Sequence, residues 1–567
     1  MKSSGRSKKI LFQTLVIIGI VLFINLLASN FYTYIDLTED RRFTLEDSTK
    51  KLLEEVDDII TIDVLLQGNM TSGLTQLRER TFEILKEFKS LNPSIEYKSI
   101  DLNNGTVEEI NKIRKNLQQD GITPFNLRIV ENDQQTEKLI YPYAILKKGT
   151  LKVPISLLES KGRGESEEQS ISNSMAQLEY KLINAIEKVS RSRTPVAAFT
   201  QGNGELLEEQ TATLTTELSK TMQVEYFRLD SLVRINDDVD IVIVAGPTRK
   251  FSLKQQFKLD QYIMNGGKVI WLLDQFAVNL DSINQSKIYV PKKLDLGLES
   301  MLFKYGIRIN SDLVLDLENT SIPQVIGEQG GEAQTQLFPW VYHPLLQGSQ
   351  EASFAKNIDR VSSTFPSSIE ILDSREDIDY TPLLTSSQYA RRQVYPMRLS
   401  FEILRVEQKT EAYNKSFLPT AVKLEGEFES FFKNRVTEEM ESGLKQLGTE
   451  FIDKSVSTSQ VVISDSDIIK NLYDSSNNRI SPIGYNKWTN IDYKGNKEFI
   501  VNTIEYLLDD YGLTDARTKS YKLRLLDQVE ITEHKLKWQI INVVLPVVVV
   551  ILFGMFYSFW RKRKYAN

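Results

Sequence analysis

Hydrophobic residues form two long uninterrupted runs, one near each end of the chain. Residues 10–31 read ILFQTLVIIGIVLFINLLASNF and residues 538–560 read WQIINVVLPVVVVILFGMFYSFW, with no charged side chain in either run. At about 1.5 Å per residue, a helix of either run is long enough to cross a hydrocarbon layer of about 30 Å. The pattern therefore predicts one transmembrane helix at each end of the chain.

The two runs also have other interpretations. A basic segment precedes the first run, as in a cleaved signal peptide, but the run exceeds the usual apolar length of about 7–15 residues. Ala28-Ser29-Asn30 also fits a cleavage site poorly. Either run could instead be a buried helix of a soluble protein. Pro546 lies inside the second run, and membrane helices tolerate such a proline as a kink.

Short apolar strands and amphipathic helices alternate through residues 36–158. Thr44 and Asp47 are typical of a helix start, and Leu74, Leu77, Leu85 and other apolar residues recur at helical spacing. Strands are predicted near residues 59–66, 95–100, 125–130, 141–146 and 151–155. The order predicts a small N-terminal α/β domain with a thioredoxin-like layout. A polar linker and a connecting helix are predicted over residues 159–190.

Residues 191–515 are predicted to form a larger α/β domain with inserted loops. Continuous apolar strands near 196–200, 240–245 and 268–274 alternate with helices, which indicates a mostly parallel, doubly wound sheet with helices on both faces. Ser252 and Gln255 predict a capping box at one of these helices. Residues 318–350 are rich in Gly, Gln and Pro and are typical of a long loop. Residues 516–537 predict a charged stalk.

Charge is distributed unevenly between the body and the two ends. The net charge is −7, and each terminal tail, residues 1–9 and residues 561–567, carries four basic residues and no acidic one. Subtracting those eight charges leaves −15 for the rest of the chain, which argues against nucleic-acid binding by the body. Basic flanks mark the cytoplasmic side of membrane helices. Both tails are therefore expected in the cytoplasm, with the body in the periplasm of a bacterium.

The residue inventory excludes several kinds of chemistry. The chain has no cysteine, which removes disulfides, thiolate nucleophiles and cysteine-based metal sites, including thioredoxin chemistry. Only two histidines occur, His343 and His534, and both are expected to be packing or surface residues. Neither a G-x-x-x-x-G-K-[ST] phosphate loop nor a G-x-S-x-G nucleophile motif occurs. We therefore expect a protein that is not an enzyme and uses no cofactor.

The loop Gly202-Asn203-Gly204 is the first candidate site. It follows a predicted strand and precedes a predicted helix, the position at which open α/β sheets bind ligands and at which helix N-termini attract anions. The same glycines also suit a tight turn that binds nothing. The sequence leaves both interpretations open.

Asp465 and Asp467 form the second candidate site, because they directly follow a predicted strand near residues 460–464. Two carboxylates in this position could hold Mg²⁺ or Ca²⁺, or serve a membrane-tethered hydrolase. They could equally cap the next helix. Both alternatives stay open at this point.

Several segments of the chain, taken in order, resemble one known family. IDLTEDRRFTL at 35–45 follows the first apolar run, and DIVIVAGPTRKFSLKQQFKLDQYIMNGGKVIWLLD occupies 240–274. FPWVYHPL at 338–345, LEGEFESFF at 424–432, GNKEFIVNTIEYLLDDYGL at 495–513 and the start of the second apolar run complete the set. In this order the segments resemble the GldG family, the gliding-motility-associated, substrate-binding-like auxiliary components of ABC transporters in Bacteroidetes.

The resemblance implies an inner-membrane protein that acts with a separate ABC ATPase subunit and a polytopic permease subunit. It further implies a glutamine-amidotransferase-like sheet of the kind found in intraflagellar-transport proteins, without amidotransferase activity because no cysteine is present. The expected function is a non-catalytic auxiliary subunit whose periplasmic body contacts protein partners or cargo. A free-standing periplasmic ligand-binding module is the alternative.

Overall fold

The computed structural model describes residues 44–514 and 535–565, apart from short gaps at 69, 103–105, 132–133, 160–165, 286–287, 330–331, 373–376, 447, 475–476 and 478. Residues 16, 19, 20 and 23 are also described and are helical. The rest of the predicted first membrane helix, the tail 1–9, nearly all of the predicted stalk and His534 lie outside the described residues. The chain divides into two compact units, Met1–Lys519 and Ser520–Asn567.

The described residues have a mixed α/β architecture with eleven α-helices. The helices are α1 (Asp47–Glu55), α2 (Ser72–Leu91), α3 (Val107–Gln119), α4 (Glu167–Ser190), α5 (Glu208–Leu218), α6 (Leu253–Met264), α7 (Leu280–Asn284), α8 (Glu299–Lys304), α9 (Glu438–Gln446), α10 (Gly495–Leu507) and α11 (Lys535–Tyr565). Short 3₁₀ helices occupy Leu229–Ser231, Phe401–Arg405, Thr410–Ala412 and Ser466–Ile469.

The strands fall into one small sheet, one large sheet and several two-stranded ribbons. In chain order they are β1 (Ile60–Val64), β2 (Ile95–Ser99), β3 (Phe125–Glu131), β4 (Gln134–Ile140), β5 (Tyr143–Lys148), β6 (Leu151–Ser156), β7 (Val196–Gln201), β8 (Gln223–Arg228), β9 (Ile241–Ala245), β10 (Lys268–Leu272), β11 (Phe276–Ala277), β12 (Lys292–Lys293), β13 (Ile307–Ile309), β14 (Asp312–Asp316), β15 (Asn319–Gln329), β16 (Glu332–Gly348), β17 (Val361–Ser362), β18 (Ile369–Ile371), β19 (Ile378–Thr385), β20 (Ala390–Val394), β21 (Pro419–Gly426), β22 (Thr458–Ile463), β23 (Tyr473–Asp474), β24 (Arg479–Ile480), β25 (Tyr485–Asn486) and β26 (Ile491–Asp492).

The N-terminal module is built on a four-stranded sheet in the order β2-β1-β5-β6. β1 pairs with β2 in parallel and with β5 in antiparallel orientation. One buried cluster unites this sheet with α1, α2 and the long helix α4. The cluster contains both Leu45, just ahead of α1, and Leu513, beyond the last helix of the body. Tyr511 strengthens this return of the chain, because its hydroxyl donates to Glu55 Oε2 at 2.8 Å.

The larger sheet has a parallel half and an antiparallel half. The parallel half runs β8-β7-β9-β10-β22. Every residue of β9, with the sequence IVIVA, is buried, as expected for a strand covered on both faces. From β22 the sheet continues through β21, β19, β16 and β15, each antiparallel to its neighbour. The expectation of a mostly parallel sheet therefore holds for one half only.

The antiparallel half extends through a segment that we predicted to be a long loop. Residues 319–329 and 332–348 instead form the paired strands β15 and β16, which pair from Asn319 and Pro344 to Gln329 and Glu332. Glycine and proline favoured a loop in sequence terms, but Pro323 lies on the outermost strand of the sheet. An edge strand tolerates a residue that cannot donate to a ladder.

Helices cover both faces of the parallel half. Leu214 of α5 and Phe499 of α10 belong to the buried cluster on one face, and Leu259 and Ile263 of α6 belong to the cluster on the other face. A third cluster surrounds Trp340 beside the ribbon of β14 and β20. The two-sided coverage explains why β9 is apolar throughout and why β10 is apolar after Lys268.

Two predicted helix starts can be compared with the structure. The capping box at α6 is confirmed: Gln255 N donates to Ser252 Oγ at 3.3 Å, and Ser252 N donates to Gln255 Oε1 at 2.8 Å. The predicted cap at Thr44 is wrong, because α1 begins at Asp47 with Glu46 as its N-cap and no side-chain cap. Glu46 N donates instead to Glu179 Oε1 of α4 at 2.7 Å. A tertiary contact thus replaces the local one.

Helix α4 joins the N-terminal module to the larger sheet. One side of α4 lies in the N-terminal core, and the other side reaches Glu505 of α10. Glu505 accepts hydrogen bonds from Tyr180 Oη at 3.2 Å and Asn184 Nδ2 at 3.1 Å, and it forms an ion pair with Lys188. The Lys188 and Glu505 side chains are only 13% and 14% exposed, so this pair is a largely desolvated connection.

The C-terminal helix α11 contains a stretch, Ile540–Arg563, that is long and apolar enough to cross a membrane and is not buried against protein. This agrees with the predicted membrane run at 538–560, although the helix extends beyond it at both ends. Pro546 lies inside α11 without ending it.

Candidate functional site

The candidate site lies at the edge where the parallel strands of the larger sheet end. In the order β8-β7-β9-β10-β22, the first strand in sequence, β7, lies between the second and the third. The connections therefore leave β7 and β9 in opposite directions, and the crevice between their carboxyl ends is where open α/β sheets bind ligands. The Gly202-Asn203-Gly204 loop follows β7 directly at this point.

The chain itself closes this crevice. Gly202 and Gly204 have φ angles of +113° and +77°, which favour glycine. A Cβ on Gly204 would lie 2.1 Å from Thr248 Oγ1, in the loop after β9. The buried Asn203 carbonyl accepts from Thr248 N at 3.0 Å and Arg249 N at 2.8 Å. The close approach of the two loops accounts for Gly204, whereas Gly202 is accounted for by its positive φ alone.

The side chains around the Gly202-Asn203-Gly204 loop either form hydrogen bonds within the protein or are acidic. The Asn203 amide exchanges hydrogen bonds with the Gln255 amide at 3.0 and 3.2 Å. Glu205 Oε2 accepts from Asn203 N at 2.6 Å, and the first turn of α5 carries Glu208 and Glu209. Carboxylates there already complement the positive end of the helix dipole and repel an anionic ligand. Ligand binding at Gly202, Asn203 and Gly204 stays a prediction, and the tight turn accounts for these contacts.

Asp465 follows β22 at the same edge and is 1% exposed. Its Oδ2 accepts from Ser363 Oγ at 2.5 Å and Thr364 N at 2.6 Å, and its Oδ1 accepts from Asp467 N at 2.9 Å. Asp465 is thereby the N-cap of the 3₁₀ helix Ser466–Ile469, which is the capping role left open by the sequence. Asp467 forms an ion pair with Lys470 at 2.8 Å.

Asp274, two residues beyond the end of β10, joins the two predicted aspartates. Its carboxylate accepts from Ser466 N at 2.9 Å and Ser466 Oγ at 2.6 Å. Burial, followed by the charge of Asp467, raises the pKa of Asp274 from 3.8 to about 6. Burial, followed by the charges of Asp467 and Asp274, also raises the pKa of Asp465. The charge of Asp467 in turn raises the pKa of Lys470.

This carboxylate cluster can hold a proton in mildly acidic solution. Cation binding there is less favoured, because both carboxylate oxygens of Asp465 and of Asp274 already accept hydrogen bonds from the protein. Within the described ranges, no group of three or more histidine, aspartate or glutamate side chains has an arrangement suited to a metal ion. The metal site at Asp465 and Asp467 stays a prediction.

The two predicted sites prove to be neighbours. A Cβ on Gly246, after β9, would lie 2.7 Å from Ser466 Oγ, so the loop after β9 touches both the Gly204 loop and the Asp465 loop. Sequence reasoning missed Asp274, Gly246 and Ser466. Asp274 and Gly246 did carry a signal, since each follows a continuous apolar strand and parallel strands place their carboxyl ends at one edge.

His343 is a packing residue in this structure, as expected. It is 5% exposed and lies edge-on to Phe365, with ring centroids 4.9 Å apart, and to Trp340. Burial lowers the pKa of His343 from 6.5 to about 3, so the imidazole is neutral at physiological pH.

Comparisons with known proteins identify relatives of two parts of the chain. Residues 194–503 match the model of a family described as an ABC-type uncharacterized transport system. Residues 39–147 match the model of a domain of unknown function. A solved structure titled "mmIFT52 N-terminal domain" is similar at 11% sequence identity and a TM-score of 0.31, over 55% of this chain and 97% of that chain. No curated protein matches the chain.

Proposed function

The chain belongs to the family of ABC-type uncharacterized transport systems, and on that premise we propose that it is a non-catalytic, membrane-anchored auxiliary subunit of an ABC transport complex. The match over residues 194–503 is the observation that carries the proposal, because it covers more than half of the chain. It supports an auxiliary role in transport. The ATPase and the permease are then separate proteins.

Two apolar helices anchor the subunit in the bacterial inner membrane. Ile540–Arg563 supports the second anchor, and the uncharged run at residues 10–31 supports the first. The basic tails support an orientation with both termini in the cytoplasm and the body in the periplasm. In this arrangement the helices contact the permease, and the body contacts periplasmic partners or cargo.

Two features of the sequence support a non-catalytic role. The chain contains no phosphate-binding loop of the G-x-x-x-x-G-K-[ST] type and no cysteine. ATP hydrolysis would therefore come from the separate ATPase subunit. ATPase activity of the purified chain alone would contradict this assignment.

A link to gliding motility is the finer part of the proposal. It rests on the ordered segments that resemble the GldG family, from residues 35–45 to 495–513. Deletion of the gene in a gliding host is expected to abolish movement on agar. Normal movement of the deletion strain would restrict the role to transport.

The deciding experiment is affinity purification of the tagged full-length chain from native membranes in mild detergent. We expect a P-loop ATPase and a polytopic permease to co-purify in a fixed ratio. A matched variant keeps the composition of residues 540–560 but reorders its apolar side chains, so that it still inserts. Loss of the permease from this variant places the contact in the second apolar helix, whereas retention places it in the first apolar run or in the body. Recovery of the wild-type chain alone would refute the transporter assignment.

A free-standing ligand-binding module is the second candidate function. It is favoured by an open cleft of about 750 Å³ in the body, lined by five basic residues. Recovery of the chain without transporter subunits, together with ligand binding in this cleft, would make the module the better assignment.

A further inference from the structure

A second cleft lies beyond the carboxyl end of β10, and residues 202–204 are not among its lining residues. Gln275 forms part of its wall and donates to Ser311 Oγ at 3.3 Å. The other lining residues include members of α8 and of the segment 431–435, and the volume is about 750 Å³. Small-molecule sites have volumes of about 300–1,000 Å³ and lie at this end of open α/β sheets. Position and size therefore both suit a ligand.

The charge of the cleft is opposite to that of the chain. The chain has a net charge of −7. One acidic residue, Glu299, lines the cleft, together with five basic ones: Lys293, Lys304, Arg308, Lys433 and Arg435. A concave surface with an excess of one charge concentrates ligands of the opposite charge.

Three of the basic side chains already have carboxylate partners. Lys304 and Lys433 both bind Glu429, with Lys433 Nζ 2.6 Å from Glu429 Oε1. These two lysines lower the pKa of Glu429 to about 2. Arg308 forms an ion pair with Glu370 across β13 and β18. These pairs fix the walls of the cleft and leave little of their own charge for a ligand.

Lys293 and Arg435 retain their charge for a ligand. Lys293 Nζ donates to Ser311 Oγ at 2.9 Å, while the adjacent Asp295 is held by Lys250 at 2.8 Å. The Arg435 guanidinium carbon lies 4.0 Å from the centre of the Phe431 ring. Both side chains are exposed, and neither forms a carboxylate ion pair within the described part of the chain. An arginine stacked in this way presents paired donors that match carboxylate or phosphate oxygens.

An apolar surface accompanies these donors. Phe303, on α8, lines the cleft and is 57% exposed, although it is a large aromatic side chain. An exposed aromatic residue beside charged donors can cover the apolar part of a ligand.

We propose that this cleft binds a small anionic molecule whose phosphate or carboxylate group contacts Lys293 and Arg435 and whose apolar part packs on Phe303. The proposal is independent of the assignment to a transport complex. Binding is governed by charge and by the aromatic surface together.

Titration calorimetry of the full-length chain in nonionic detergent tests the proposal, with phenyl phosphate as the probe. Inorganic phosphate lacks the ring and benzyl alcohol lacks the charge, so both are expected to bind more weakly. The double variant Lys293→Gln/Arg435→Gln is expected to lose about tenfold or more in affinity, since charge-assisted hydrogen bonds contribute strongly. Phe303→Ala should weaken phenyl phosphate but leave inorganic phosphate unchanged.

The matched control is Lys292→Gln/Arg398→Gln. Both of these side chains are exposed, and Lys292 is the neighbour of Lys293 on β12, but neither lines the cleft. The control is expected to bind phenyl phosphate as the wild type does. Equal losses in the two double variants would show that only net charge matters and would overturn the proposal. So would the lack of saturable binding up to about 10 mM phenyl phosphate, which excludes even weak sites.

Discussion

Replacement of Asp274 by asparagine should stabilise the protein at neutral pH. The pKa of Asp274 is about 6 in the folded chain against an ordinary value of 3.8, chiefly because of burial and then because of Asp467. The folded state therefore binds more protons than the unfolded state between about pH 4 and pH 6, and stability rises as the pH falls through that window. A shift of about two units corresponds to a cost of up to about 3 kcal/mol at neutral pH.

Asparagine keeps the hydrogen bonds while it removes the charge. Its Oδ1 can still accept from Ser466 N, and its Nδ2 can donate to Ser466 Oγ. We expect the free energy of unfolding at pH 7.5 to increase by about 1–3 kcal/mol, and the gain to vanish below about pH 4. Urea unfolding of the full-length chain in detergent measures this change through tryptophan fluorescence, because Trp271 is buried on the same strand end.

Asp237→Asn is the matched control, because Asp237 is a carboxylate with a 71% exposed side chain. Its effect should stay within about 0.5 kcal/mol at either pH. A variant of Asp274 that is less stable than the wild type at pH 7.5 would refute the reasoning. If Mg²⁺ or Ca²⁺ then stabilised the wild type but not the variant, the carboxylate cluster would be a cation site after all.

Three further predictions concern packing and burial. His343→Phe should reduce the acid sensitivity of the fold. The pKa of His343 is about 3 in the folded chain against an ordinary value of 6.5, so the wild type loses about 2 kcal/mol of unfolding free energy between pH 7.5 and pH 5. Urea unfolding at both pH values measures this loss. Glu505→Ala should destabilise the chain by about 3–5 kcal/mol, since it leaves the charge of Lys188 without a partner in a desolvated site. The same urea unfolding curves should show a smaller loss for Glu505→Gln. Gly204→Ala should lower the melting temperature through its clash with Thr248 Oγ1 and its positive φ, and adding Thr248→Ala should recover only the steric part. Full recovery would show that the backbone conformation costs nothing.

The central strands were predictable because both of their faces are buried. β9 and β10 lie within the continuous apolar stretches near 240–245 and 268–274, since burial on both faces favours apolar side chains at successive positions. The hairpin of β15 and β16 was not predictable in this way. Its polar, glycine-containing strands are held by pairing with each other, and such pairing leaves little local signal.

The position of the candidate site in the fold was predictable, but the contacts between its residues were not. The rule for parallel strands placed Gly202 and Asp465 at strand ends, where the structure has them. Only the folded chain shows that Thr248 and Ser466 fill the space beside them, because those contacts join residues far apart in sequence. The basic cleft had no sequence signal, since Lys293, on β12, and Arg435 lie far apart in the sequence.

Leu45 and Leu513 share one buried cluster, and this arrangement has a mechanical consequence. The chain leaves the N-terminal module to form the larger sheet and returns to that module afterwards. In sequence, the larger sheet is therefore an insertion within the N-terminal module. A pulling force applied to the two ends of the chain acts first on the N-terminal core and on the contact of Tyr511 with Glu55. The larger sheet experiences tension only after that core has ruptured, so its clefts keep their shape while the ends of the chain are under load.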